Sequence, residues 1–311
     1  MADLKTKYMG LELRSPIIAG SCGLTSDVEK MVEMEKAGVG AVVLKSIFEE
    51  QINEETSGVF KAGYGMGDAY PEAEDYIKAY IRSNTIQKYV ELVRNAKSRL
   101  TIPVIASVNC FSGGEWVSFA RQLEEAGADA LELNVFILPV NEFKESAEVE
   151  NVYFEIVKSI KSQIKIPVSV KISHYFTNLS AFVDKIKAYG ANATTLFNRF
   201  YEPDININTL EMGAASVFST AAELRTTLRW TGILAGKDKK LEISASTGVH
   251  GGEAAVKLLL AGATTVQVCS VLYEKGIHVI EDINNFIGKW MDSKAFKTIG
   301  DYRGMLSYSS I

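Results

Sequence analysis

A repeated helix–glycine–strand unit restricts the fold of this chain more than any other feature of its sequence. In each copy a helical stretch ends at a glycine, and a strand-forming run follows in AGVGAVVLKS (37–46), AGADALELN (126–134), YGANATTLFN (189–198) and AGATTVQVCS (261–270). Glycine tolerates the left-handed conformation that ends a helix. The stretches before these glycines have helical patterns: VEKMVEMEK, WVSFARQLEE, LSAFVDKIKA and GEAAVKLLL. The sequence therefore predicts helices that alternate with strands.

Four further apolar runs complete a set of eight strands: PIIAG (16–20), PVIASVN (103–109), PVSVKIS (167–173) and LEISAST (241–247). Strands that alternate with helices form parallel sheets. Eight such units indicate an α/β fold of the (β/α)8 TIM-barrel type. A doubly wound open sheet is the alternative, but no glycine-rich dinucleotide fingerprint follows the first strand.

Two connections are too long for a simple strand-to-helix turn. The first contains GVFKAGYGMGDAYPEAEDY (58–76), after strand 2, which we interpret as a loop over the barrel mouth. The second contains YEPDININTLEMGAASVFS (201–219), after strand 6, which we interpret as an excursion before a helix. Long loops of this kind are usually lids or binding loops. Since no linker composition divides the chain, we expect one domain over residues 1–311.

Composition excludes several classes of function. The chain has 311 residues, of which 47% are hydrophobic, and a net charge of −5, so a broad nucleic-acid-binding face is not expected. It contains no apolar run long enough to span a membrane and no N-terminal signal core. The three cysteines, at 22, 110 and 269, lack metal-ligand spacing and suit a reducing compartment. We expect a cytoplasmic protein that acts on a small molecule, without a metal.

TIM barrels place their active sites at the carboxyl ends of the strands. In chain order the residues at the ends of the predicted strands, most of them polar, are Ala19, Gly20 and Ser21; Lys45 and Ser46; Asn109; Asn134; Lys171 and Ser173; Asn198 and Arg199; Ser246, Thr247 and Gly248; and Cys269 and Ser270. Two lysines and three asparagines at strand ends favour an active site over a purely structural rim.

The last two units predict a phosphate site. STGVHGGEAAVKLLLAGATTVQVCS (246–270) places a glycine-containing turn and a helix start after strand 7, and strand 8 then ends in Cys269 and Ser270. Backbone N–H groups at such turns bind phosphate, and barrels often use the turns after strands 7 and 8. The pattern indicates a phosphorylated ligand without identifying it.

The ordered set of AG, VLKS, VN, ELN, VKIS, FN and the glycine turn after strand 7 resembles the dihydroorotate dehydrogenase family. The resemblance runs from GLELRSPIIAG to VQVCSVLYEKG and is to the soluble, class 1-like members. It implies an FMN cofactor and a flavin-dependent oxidation of a CH–CH group, dihydroorotate to orotate, in pyrimidine biosynthesis. Some soluble members are homodimers and others pair with an iron–sulfur flavoprotein, so the resemblance leaves the partner open and allows a homodimer.

The resemblance also implies roles for individual residues. Two lysines, Lys45 and Lys171, take the catalytic positions, and a cation at Lys171 stabilises negative charge on the reduced flavin. The residues implied to bind the cofactor are Ala19, Gly20, Lys45, Ser46, Asn109, Asn134, Lys171 and, around the phosphate, Gly248, Val249, Cys269 and Ser270. The residues implied to face the substrate are Asn134 and Asn198.

The loop after strand 4 departs from the family pattern. The family has Asn-x-Ser, then Cys or Ser, then Pro-Asn, where the Cys or Ser is the general base. This chain has NVFILP (134–139), so Ile137 occupies the position of the base and cannot accept a proton. The lid also lacks the asparagines of the family segment N-x-x-G-L-x-N. We therefore interpret the cofactor half of the site as retained and the substrate half as altered.

Several alternatives stay open at this point. Another residue could replace the base, and the candidates are Cys110, His174, Tyr201 and Glu202. The chain could be an FMN-dependent oxidoreductase with a changed substrate, or a catalytically silent FMN-binding protein derived from the enzyme. A barrel lyase or isomerase that binds a sugar phosphate without flavin is the third hypothesis.

Overall fold

The structure is a computed structural model that describes residues 2–48, 71–109, 113–135, 137, 140–199, 203–214 and 216–308. Eight parallel strands form its centre: β1 (Ile17–Ala19), β2 (Ala41–Val43), β3 (Val104–Asn109), β4 (Ala130–Asn134), β5 (Val168–Ile172), β6 (Ala193–Leu196), β7 (Ile243–Ala245) and β8 (Thr265–Val268). Each strand pairs with the next, and β8 pairs with β1, so the sheet closes on itself. The predicted (β/α)8 barrel is confirmed.

Helices surround the strands. They are α1 (Val28–Lys36), α2 (Pro71–Arg99), α3 (Gly113–Glu125), α4 (Ser146–Lys161), α5 (Leu179–Ala188), α6 (Leu224–Lys237), α7 (Gly252–Ala261), α8 (Ser270–Lys275) and α9 (Val279–Ser293). Side chains cap two of them, since Asp27 accepts a hydrogen bond from the Glu29 amide and Asn178 accepts one from the Ala181 amide. Such caps satisfy backbone N–H groups that the first turn leaves free.

The predicted loop after strand 2 is wrong in its last part, because α2 begins at Pro71. The segment PEAEDY (71–76), read as loop from the sequence, is therefore helical. Proline suits the first turn of a helix, where its missing N–H is not needed. The rest of the predicted lid lies outside the described residues.

The excursion after β6 contains an antiparallel hairpin, which we call the outer hairpin. Its strands are Pro203–Asn206 and Glu211–Ala214. The apolar side chains of the outer hairpin that are exposed are Ile205, Ile207, Leu210 and Met212. The hairpin therefore presents an apolar surface outside the barrel.

A second hairpin closes the amino-terminal end of the barrel. Its strands are Thr6–Tyr8 and Leu11–Leu13. The side chains that it buries, Tyr8, Met9 and Leu13, pack against small and apolar residues of the barrel strands: Ile18, Ala41, Val43, Ile105, Ala130 and Ala193. Because this end is filled, chemistry is left to the carboxyl ends of the strands.

A layer of polar side chains crosses the interior of the barrel, between its filled amino-terminal end and the carboxyl ends of the strands. Glu132 of β4 is 1% exposed. Its Oε2 accepts hydrogen bonds from Thr195 Oγ1 of β6 and from Gln267 Nε2 of β8, both at 2.8 Å. Alternate strands of a TIM barrel supply the side chains of one layer. These bonds offset the cost of burying a carboxylate.

Candidate functional site

A cavity of about 230 Å³ opens at the carboxyl ends of β5 to β8. Its lining includes six residues to which the resemblance assigned a role: Lys171, Asn198, Gly248, Val249, Cys269 and Ser270. It also includes four other residues that the sequence placed at the strand ends, Ser21, Arg199, Ser246 and Thr247. Ser219 and Gln267, which the sequence did not single out, line it as well. The structure thus brings together the predicted residues that follow β5 to β8.

The predicted residues after β1 and β2 lie behind or beside this cavity. Ala19 and Gly20 are buried, and the Gly20 amide donates to the carbonyl of Val268 at 2.9 Å. Ser21 lines the cavity, and its hydroxyl is hydrogen-bonded to that of Ser46 at 3.1 Å, so Ser46 contacts a lining residue and is not itself in the lining. The Lys45 side chain is exposed and is not part of that lining. The role implied for Lys45 stays a prediction.

Three predicted residues form a row across neighbouring strand ends. Asn109 is paired in register with Asn134, which is paired with Lys171. The Oδ1 atoms of both asparagines are buried and have no hydrogen-bond partner among the described residues. A buried amide oxygen without a partner costs about 1–3 kcal/mol. These two atoms therefore indicate a ligand that donates hydrogen bonds beside the lysine.

The turn after β7 has a backbone that only glycine accommodates at one position. Gly248 has φ +78°, and a Cβ there would lie 2.3 Å from the backbone nitrogen of Leu224. Thr247 has φ +77°, although it is not glycine. Backbone strain of this kind concentrates at functional sites, where the surrounding structure maintains it. The turn that the sequence assigned to phosphate is thus a tightly constrained one.

Ser219 connects this turn to the end of β8. Its amide donates to Ser270 Oγ at 3.0 Å, and the two hydroxyl oxygens are 3.1 Å apart. The Gly248 amide points at Ser219 Oγ at 3.4 Å, and His250 Nε2 lies 3.3 Å from the same oxygen. The sequence analysis missed Ser219, because it comes from the connection after β6 and no motif marks it.

A neighbouring cavity of about 250 Å³ shares Phe197, Asn198, Arg199 and Thr247 with the first. His174 also lines it, and burial lowers the pKa of this histidine. Arg199 Nε donates to Glu223 Oε2 at 2.9 Å. Asn198 therefore lines both cavities, and its contact with a substrate stays a prediction.

The described residues that follow β4 are apolar and pack against the core. Val135 is fully buried, and the partly buried Ile137 packs against the hydrophobic core. The Ile137 amide hydrogen-bonds Tyr153, whose burial raises the pKa of the phenol to about 12. Three other candidate bases, Cys110, Tyr201 and Glu202, lie outside the described residues. His174 is the one candidate among the described residues, and it lines the neighbouring cavity.

The closed sheet and its surrounding helices define a TIM barrel, the class of fold whose active sites lie at the carboxyl ends of the strands. Within that class, the chain belongs to the dihydroorotate dehydrogenase family, because the family model described as "Dihydroorotate dehydrogenase" matches residues 3–291. The family predicted from the sequence is confirmed. Across the described residues, no helix has the length and apolarity needed to cross a membrane.

Three relatives are similar to this chain in sequence over nearly its whole length. The catalytic subunit of dihydroorotate dehydrogenase B (NAD(+)) from Thermoplasma acidophilum is 30% identical over 311 residues, which cover 98% of this chain and 99% of that protein. A putative dihydroorotate dehydrogenase A (fumarate) from Aeropyrum pernix is 26% identical, with 97% of each chain covered. The catalytic subunit of the B enzyme from Pyrococcus furiosus is also 26% identical, over 97% of this chain and 98% of that protein.

Proposed function

We propose that the chain is an FMN-dependent oxidoreductase of the dihydroorotate dehydrogenase type whose substrate half has changed. The row of Lys171, Asn134 and Asn109 is the observation that carries this proposal. It combines a cation with two buried amide oxygens that lack partners among the described residues. Family membership supports the same reaction class, since the matching relatives are named as dihydroorotate dehydrogenases.

The residues of the cavity fit FMN. The phosphate would be held by the turn of Gly248 and Val249, by Ser270 and by the Ser219 hydroxyl, which all line one cavity. The unpartnered Oδ1 atoms of Asn109 and Asn134 suit the N–H donors of a flavin ring. When bound, FMN would supply an acceptor for the hydride of a CH–CH substrate.

The protein side chains would contribute charge and orientation rather than a proton acceptor. Lys171 holds a positive charge where negative charge develops, and one such preorganised group is worth about 2.7–4 kcal/mol. Asn198 is oriented by a hydrogen bond from its Nδ2 to the Lys171 carbonyl at 3.4 Å. Ile137 offers no basic atom, and a positioned base contributes about 10²–10⁴-fold. Dihydroorotate itself should therefore react slowly, and a different substrate is part of the proposal.

A catalytically silent FMN-binding protein is the second candidate. The packing of Val135 and Ile137 against the core favours it, because this loop is built as structure. One experiment tests the cofactor and the altered substrate half that both candidates assume: a visible spectrum of the purified protein, followed by anaerobic titration with dihydroorotate and then with dithionite.

Each result of that titration has a defined meaning. A flavin spectrum that dihydroorotate bleaches within seconds contradicts the altered substrate half, since a replacement base must then exist. A spectrum that only dithionite bleaches supports a retained cofactor in a redirected or silent site, and a screen of other CH–CH substrates then separates these two. Protein that stays colourless and takes up no added FMN overturns the flavin proposal and leaves a phosphate-binding barrel.

The proposal includes a cytoplasmic homodimer. The exposed apolar side chains of the outer hairpin support self-association, since exposed apolar patches often mark interfaces. The free thiols of Cys22 and Cys269 suit a reducing compartment. Sedimentation velocity tests the dimer: a monomer at micromolar concentration contradicts it, and loss of the dimer on Leu210→Lys places the interface on the outer hairpin.

A further inference from the structure

We propose that Cys22 and Cys269 are a redox-active thiol pair in the cavity wall, which converts reversibly to an internal disulfide by exchange with small-molecule disulfides. Neither FMN nor a dihydroorotate-type substrate is needed for this reaction. The proposal therefore stands or falls separately from the proposed function.

Barrel closure brings the two cysteines together from opposite ends of the sequence. Cys22 follows β1 and Cys269 follows β8, and these strands pair with Val268 opposite Ala19. Cys269 Sγ lies 3.6 Å from the carbonyl oxygen of Ser21, the residue before Cys22. Cys22 follows Ser21 directly, and the two cysteines lie near enough for each to shift the pKa of the other.

Gly20 makes room for this arrangement. A Cβ at position 20 would lie 2.8 Å from Cys269 Sγ, closer than real Cβ atoms approach a neighbour. Because Gly20 has no side chain, the Cys269 sulfur can lie close to the loop after β1. The backbone of Cys22 is fixed in turn, since its amide donates to Thr25 Oγ1 at 3.1 Å.

The two sulfurs differ in their readiness to react. Cys269 lowers the pKa of Cys22 to about 6, and the amides of Leu24 and Thr25 act in the same direction. Cys22 in turn raises the pKa of Cys269. Of the two sulfurs, Cys22 is therefore the one that favours the thiolate. Because the thiolate is the nucleophile in exchange, Cys22 attacks first and Cys269 resolves.

Other ionisable groups face the pair and belong to the same titration. The Tyr273 hydroxyl of α8 contacts Cys22, and its own pKa is raised by burial and by the cysteine. Lys171 lowers the pKa of Cys269 while Glu132 raises it. Reagents can reach the pair, because both cysteines are partly exposed and Cys269 lines the cavity.

The exchange balances with one disulfide as oxidant. The Cys22 thiolate attacks one sulfur of glutathione disulfide, whose S–S bond breaks and releases one glutathione thiolate. Cys269 then gives its proton to solvent, attacks Cys22 Sγ and expels the second glutathione. Two electrons pass from the cysteines to the oxidant, which leaves as two thiols, and a dithiol reductant reverses the process. Because Ser21 and Ser270 line the cavity beside the pair, the crosslink makes the cavity wall sensitive to thiol redox state.

Mass spectrometry of the full-length protein tests the exchange. The reduced protein is exposed to glutathione disulfide at pH 7, quenched, alkylated and analysed intact and as peptides. We expect loss of two hydrogen atoms and a peptide that links Cys22 to Cys269. The Cys269→Ser variant should stop at a glutathione adduct on Cys22, and Cys22→Ser should form no crosslink. Cys110→Ser is the matched control and should still form it.

A pH profile tests the influence of Cys269 on the pKa of Cys22. Alkylation of Cys22 by iodoacetamide should reach half of its maximal rate near pH 6 and shift toward about 8.5, the value of an ordinary thiol, in Cys269→Ser. A stable glutathione adduct on Cys22 in the unaltered chain, a crosslink to Cys110, or an unshifted profile in Cys269→Ser overturns the proposal. Colourless protein that forms the crosslink contradicts only the proposed function.

Discussion

The residues that follow β4 are apolar and packed, whereas those that follow β7 and β8 present hydrogen-bonding groups. Beyond β7 and β8, amide and hydroxyl groups of Gly248, Ser219 and Ser270 converge within hydrogen-bonding distance. Beyond β4, the chain passes from Asn134 into a fully buried valine and on to Ile137, which packs against the core. Under the proposed function, phosphate binding at the first region depends on a backbone shape, whereas proton transfer at the second would depend on a single side chain. A single substitution could therefore remove proton transfer and leave phosphate binding intact.

The largest expected effect comes from breaking the first region with Gly248→Ala. The new Cβ meets the Leu224 backbone at 2.3 Å in a left-handed conformation. We expect a loss of about 2–5 kcal/mol in the free energy of unfolding, from overpacking and backbone strain together. Urea denaturation measures it. The control is Gly288→Ala in α9, where a Cβ meets nothing within 4 Å, and a gain of up to about 1 kcal/mol is expected. Equal stability of Gly248→Ala and the unaltered chain contradicts the constrained turn.

Removing the cation of the retained half is expected to have the next largest effect. Lys171→Gln should lower the two-electron reduction potential of the bound cofactor by about 60–90 mV, the equivalent of about 2.7–4 kcal/mol. Spectroelectrochemical titration measures the potential. Lys165→Gln is the control, because Lys165 is exposed and precedes the same strand. Matching potentials in both variants would show that Lys171 does not stabilise the reduced cofactor.

The third prediction restores a base to the altered substrate half of the site, at position 137. Ile137→Cys should speed cofactor reduction by dihydroorotate about 10²-fold, the lower end of what a positioned base contributes. Stopped-flow absorbance under nitrogen follows the reaction. Ile137→Val, which keeps an apolar side chain of similar shape, should give no gain. If the cysteine variant is no faster than the valine variant, the lost base is not what separates this site from its relatives.

The smallest expected effect concerns His174. Burial lowers its pKa, so the folded state disfavours the charged ring. Stability from this residue is complete above the unfolded pKa of about 6.5 and is lost as pH falls through it toward the folded value. His174→Gln should therefore reduce the drop in unfolding free energy between pH 7 and pH 5. The expected change is below about 0.5 kcal/mol, because solvent screens a partly exposed group. Identical pH profiles for the two proteins would contradict it.

Much of the fold could be predicted because its signals are local. Each helix that ends at a glycine is followed by its strand, and α1 and α5 have the bounds that the sequence suggested. The start of α2 could not be predicted in the same way, since the preceding segment is rich in glycine. The outer hairpin was also missed, because its apolar residues are exposed and give no burial pattern.

The site was predictable only where topology assigns residues to it. Lys171 lies at the carboxyl end of β5 and Ser270 follows β8, and both line the cavity. Ser219 and Gln267 were missed, the first because it comes from a connection and the second because it lies inside a strand. The sequence also gave no sign that Cys22 and Cys269 are neighbours, since only barrel closure joins β1 to β8.

That closure has a consequence for biosynthesis. β1 leaves the ribosome well before its partner β8, which emerges some 250 residues later, on the order of 10–50 s at ordinary translation rates. During that interval one edge of an apolar strand is unpaired and open to association with other nascent chains. Chaperone dependence during translation, and aggregation of polypeptides stalled before Thr265, are therefore to be expected of this barrel.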